Sequence, residues 1–181
     1  MSTVAELPGC HPVTAAVSLL HEALDPVTDA PTWSLSDGAV AEAVSGCAAA
    51  IARAQELLVR LVGAADSRGL GTSVGAASTD GWVRAALNVT CQEARQLVTV
   101  ARATSTQLTA TGAALAAGTV NLPQAVAITK AVSDLPQHID EQIRRRVERD
   151  LLDRRRGTTR ASWRGSGATS SRWWHQRWAR R

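Results

Sequence analysis

Phenylalanine and tyrosine are missing from this 181-residue chain, lysine occurs once and asparagine twice. Without those aromatics the apolar fraction rests on Ala, Leu and Val, small aliphatic side chains that suit closely packed helices. A β-rich fold would draw on more aromatic and β-branched residues. The composition therefore predicts an all-α fold, and the length suits one domain with a core of its own.

Cysteine is scarce as well. Cys10, Cys47 and Cys91 are odd in number, far apart and form no C-x-x-C pair. That argues against a disulfide framework and against a zinc site, and leaves buried free thiols as the reading. The histidines, His11, His21, His138 and His175, do not stand at ligand spacing from another metal-binding residue, so no metal site is expected. No apolar run approaches the roughly 18 residues that a membrane helix needs. Glu22 and Asp25 interrupt the only N-terminal stretch that could pass for a leader. A cytoplasmic protein with no membrane partner is the expectation. A convergent set of nucleophile, base and metal ligands is also lacking, so the sequence implies no catalytic residue, no cofactor and no enzyme.

Negative charge is absent from one end. All 16 acidic residues lie in 1–153, with 11 basic ones, so that segment carries 11 − 16 = −5; the nine arginines from Arg154 onward give the remainder +9. The overall +4 and the basic isoelectric point thus belong to the last segment. An acidic body is a poor electrostatic partner for DNA phosphates. The excess of Arg over Lys, with much Ala and Gly, also points to a GC-rich gene.

What is present is organised in helical periods. Residues 1–33 read as a lead-in with one short helix in "PVTAAVSLLHEALD" (12–25), followed by a proline-bearing linker, 26–33. The helical domain proper spans 34–153. It opens with a long helix capped at Ser36 and running to about residue 68, on which Val40, Val44, Cys47, Ile51, Ala54, Leu58, Leu61 and Ala65 alternate steps of four and three. Two readings of that seam stand: a core helix within the domain, or a surface for a protein partner or a second copy along 36–68. "LGTSVGAASTDG" (70–81) reads as a loop. It lacks the strand-turn-helix context of a dinucleotide motif.

A short helix near 79–87 and a second near 91–103 follow, separated by a break at Asn88-Val89. Thr90 and Glu93 form a capping box at the start of the second. Ala94, Leu97, Val98 and Ala101 give that helix one buried face, and Trp82, Val83, Ala86 and Leu87 supply the opposing one. The pair has the shape of a helix-turn-helix. Beyond it come a helix from Leu108 closed by Gly118, another with Pro123 in its first turn, and a last one bearing Ile139, Ile143, Val147 and Leu151. Among the acidic residues of that last helix, Arg144, Arg145 and Arg146 read as a solvated, salt-bridged surface.

Taken together, the helix ending "ADSRG", "GWVRAALNVTCQEARQLVTVARA" and "ALAAGTVNLPQAVAITKAVSDLP" resemble the domain of unknown function numbered 222. This is the N-terminal helical domain of the 13E12-repeat proteins of high-GC bacteria. The resemblance spans about 36–153 and is most specific in "LAAGTVNLPQA". It implies an all-α domain associated with DNA, because in that family an HNH endonuclease domain commonly follows. No HNH segment is present here, so nuclease activity is not implied, and the expectation is a non-catalytic, truncated member. The same stretch is also similar to the DNA-binding core of ParB-type partition proteins. That likeness implies that the 91–103 helix enters the major groove, presenting Gln92, Arg95, Gln96 and Thr99 to bases, with Arg102 near a phosphate. The alternative is a helical interaction or oligomerisation module that never touches nucleic acid.

The segment 154–181 holds four of the six tryptophans and no regular apolar period, which predicts disorder. It reads either as a basic arm or as the product of a displaced reading frame. Trp173-Trp174-His175 must be encoded TGGTGGCA followed by a pyrimidine. Read from each third base, it gives Val and Ala, an apolar continuation in place of a polar one.

Overall fold

Alanine-rich segments punctuated by Ser, Thr, Asn and Pro produce helices throughout. In this computed structural model, which describes residues 11–136 and 138–157, the described residues form eight α-helices and no strand. The all-α expectation holds. Two units divide at Val44/Ser45.

In the first, α1 (Pro12–Leu24) starts at His11, whose ring Nδ1 accepts from the Val13 amide at 3.2 Å. Two 3-10 turns follow, Asp25–Val27 and Thr32–Ser34, where the sequence predicts a linker. No residue between 11 and 44 is buried. Leu20, Leu24, Val27, Leu35 and Trp33, the last 86% exposed, are all open to solvent.

The second unit carries the core. Its elements are the rest of α2 (Asp37–Ser67), then α3 (Leu70–Ser73), α4 (Thr79–Leu87), α5 (Cys91–Thr106), α6 (Thr109–Ala116), α7 (Leu122–Ser133) and α8 (Glu141–Gly157). Helix α5 is central and packs on α4, α6 and α7. Its Ala94, Leu97, Val98 and Ala101 are all buried, as the period predicts, and Val100 joins them. They meet Val83, Leu115, Ile128, Val132 and Val147. Each fully buried Leu or Ile side chain contributes roughly 1.5–3 kcal/mol.

Several expectations shift. The face of α2 that enters the core is Ala52, Val59, Val62 and Ala65; of the predicted seam only Ala65 is buried, while Ile51 and Leu61 stay exposed. Alanines lie on every side of this helix, so spacing could not say which stripe the domain covers. Residues 70–73 form a helical turn instead of open loop. Gly71 there is pressed against the backbone of Ser78 and Thr79, at 3.1 and 3.2 Å from where a Cβ would sit. On α4, Val83 is buried and Trp82 half-buried, but Ala86 and Leu87 face solvent. The thiols of Cys47 and Cys91 are free and exposed, not buried; Cys10 lies outside the described residues.

The last helix is also less solvated than its charges predict. Arg145 pairs with Glu141 at 3.2 Å, but Glu148 is 2% exposed and accepts from the amide and hydroxyl of Thr111, both at 2.7 Å. Helix α6 has no side-chain cap of its own. Glu148 supplies one from α8, meeting an amide that the helix leaves without an internal partner. Arg144 does the same at the C-terminal end of α7, donating to the carbonyls of Val132 and Pro136. Helix α8 runs on to Gly157. The disorder predicted for 154–181 is therefore not found at 154–157, which are helical; the rest of that segment, with the frame question, lies at 158–181, outside the described residues.

Candidate nucleic-acid interface

The site begins with the turn between α4 and α5. Ser78 caps α4 through its hydroxyl, which accepts from the Gly81 amide at 3.2 Å. Asn88 ends that helix in the left-handed region, φ 51° and ψ 45°. Asn tolerates this conformation better than most residues other than Gly. Val89 follows, and Thr90 starts α5 as one half of the capping box. Its hydroxyl accepts from the Glu93 amide at 3.2 Å, and its own amide donates to Glu93 Oε2 at 2.8 Å. The Thr90 amide, and after it the Thr90 hydroxyl, which also donates to Oε2 at 2.8 Å, hold the Glu93 carboxyl below its usual range. A three-residue turn between two capped helices has the loop length of a helix-turn-helix.

Four of the five residues predicted to contact DNA lie together. Gln92, Arg95, Gln96 and Thr99 form one wall of an open groove of about 530 Å³. The opposite wall belongs to α7: Val126, Thr129, Lys130 and Ser133. No described residue gives Gln92, Gln96 or Lys130 a side-chain hydrogen bond or ion pair. Arg95 is 73% exposed and reaches Asp80 only at 3.6 Å. Asp80 itself sits below the ordinary carboxylate range, chiefly because the Ser78 hydroxyl bonds to it.

Arg102 does not join them. Its Nε and Nη2 donate to the two carboxylate oxygens of Asp66 at 2.6 and 2.8 Å. Asp66 also accepts from the Thr79 hydroxyl at 2.6 Å. The Arg102 bonds, then that of Thr79, hold Asp66 at about 2, below its usual 3.8. Arg102 thus ties α5 to the ends of α2 and α4, and it lines no part of the groove. Lys130 went unnoticed in the sequence because α7 reads as a core helix; being the sole lysine in the chain was its one available signal. The described residues hold no cluster of three or more His, Cys, Asp or Glu side chains placed to bind a metal ion, and no helix among them is long and apolar enough to cross a membrane.

The family model described as domain of unknown function (DUF222) matches residues 40–169. The chain belongs to the DUF222 family. The match includes both walls of the groove and the whole α4–α5 pair, and it runs 16 residues beyond Asp153, the end of the likeness read from the sequence. No curated protein matches the chain. No solved structure matches it either. In this DUF222 chain the α4–α5 pair therefore has to be understood from its own geometry.

Proposed function

We propose that this DUF222 chain is a non-catalytic helical domain that associates with duplex DNA through α4 and α5, as part of an HNH endonuclease-type family. The observation that carries this reading is the shared wall of Gln92, Arg95, Gln96 and Thr99 behind a tight, doubly capped turn. Glutamine and arginine side chains offer paired hydrogen bonds to base edges. The −5 of residues 1–153 opposes the approach of phosphates, so binding is weak and local to this face.

The test is fluorescence anisotropy with duplex DNA at about 50 mM salt, where phosphate contacts are strong. The full-length chain is used with its arginines from Arg154 onward changed to glutamine, which removes unspecific attraction. Binding that weakens with salt and drops about tenfold in Arg95→Ala is the expected result. Absence of any binding at low salt refutes the reading.

A second reading rests on a different surface. Cys47, Ile51 and Leu61 lie exposed on α2 at coiled-coil spacing, which favours self-association through that helix.

A further inference from the structure

The groove between α5 and α7 has a second wall that the helix-turn-helix comparison does not explain. We infer that this groove receives one sugar-phosphate strand of the duplex, with Lys130 of α7 as a phosphate contact opposite Arg95. The inference rests on the DNA reading above and changes its geometry: α5 works as one side of a cleft, and α7 takes part in binding.

Three observations point this way. Lys130 is exposed with no described partner, and it faces the same space as Arg95. Two cations lining one groove suit an anion better than a neutral group. Next, Thr129 is 3% exposed and lines the groove, yet its hydroxyl has no hydrogen-bond partner. Buried polar groups are nearly always satisfied, so an orphaned one beside a groove calls for an explanation. Finally, Val100 and Val126 give the lining two apolar contacts for a sugar or a thymine methyl, while Gln92 and Gln96 sit within the same groove as amides for base edges. A volume of about 530 Å³ falls in the range of small-ligand sites.

No aromatic side chain lines the groove. Unpaired bases bind largely by stacking on aromatic rings, so a strand held in a duplex is favoured over a free single strand.

The experiment compares Lys130→Gln and Thr129→Val with the parent, all as full-length chains with the distal arginines replaced. Duplex and single-stranded oligonucleotides are titrated across salt, and each protein's melting temperature is recorded without DNA. Lys130→Gln is expected to weaken duplex binding three- to tenfold and to lower the magnitude of the salt slope by about one. Thr129→Val is expected to melt no lower than the parent, since it removes an unsatisfied hydroxyl, and yet to bind duplex less tightly. Binding by the parent that both variants retain overturns the groove and leaves the DNA reading standing. Tighter binding of single strands than of duplex also overturns it. If the parent binds no DNA, inorganic pyrophosphate is titrated into the isotope-labelled parent. Amide shifts at Gln96, Thr129 and Lys130 would keep the groove as a phosphate site without DNA, and their absence removes both readings.

Discussion

Asp66 lies in the last turn of α2, where its two oxygens accept from Arg102 of α5 and Thr79 of α4. Its pKa falls from 3.8 to about 2 on folding. A carboxylate with a depressed folded pKa stabilises the fold fully above its unfolded value, and that contribution disappears as the pH falls through the folded one. The stability gap between wild type and Asp66→Asn is therefore expected to be widest above about pH 4 and to close towards pH 2, as followed by urea unfolding. A gap constant across that window would show that the charge on Asp66 contributes nothing. This cluster was not legible in the sequence, because its partners lie 13 and 36 residues away. The Thr90–Glu93 box was legible because three residues separate its members, and a helix start brings them together whatever the rest of the chain does.

At the scale of elements, helix ends are where the chain states its intentions most clearly. Asn121 and Gln124 close a second capping box on α7, and Gln55 of α2 accepts from the Leu122 amide at 3.3 Å beside it. Gly118 ends the α6 segment at φ +70°, and a Cβ there would meet the backbone oxygen of Ala49 at 3.0 Å and its Cβ at 3.2 Å. Position 118 thus needs glycine twice, for its left-handed backbone and for the approach of α2. Gly118→Ala is expected to destabilise the domain by about 2 kcal/mol, a fall of roughly 4–8 °C in melting temperature. A loss below about 0.5 kcal/mol would mean that neither demand is real. The sequence disclosed the first demand, a helix stop. Only the packed structure discloses the second.

At the scale of the whole molecule, α2 presents apolar side chains to solvent, a surface that suits a partner. Ile51 is 53% exposed and Leu61 42%. Sedimentation velocity over a hundredfold range of concentration tests a second copy as the occupant. The expected outcome is a concentration-dependent dimer whose Kd rises at least tenfold, about 1.4 kcal/mol, in Ile51→Glu. Wild type that stays monomeric throughout rules out self-association by this face. The DNA and self-association readings use different surfaces, so Ile51→Glu should leave DNA binding by the monomer unchanged while Arg95→Ala leaves the dimer intact.

By itself the sequence determined that the chain is helical, where most helices start and stop, which face of α5 is buried, and that α4 and α5 meet in a tight turn. Those are local matters, set by side chains within about one or two helical turns of each other. The tertiary structure alone decided which stripe of α2 enters the core, that Arg102 is tied to Asp66 and Glu148 to Thr111, and that Lys130 lines the same groove as Arg95. Those pairs lie 35 to 37 residues apart, and no period or cap along the chain encodes that distance.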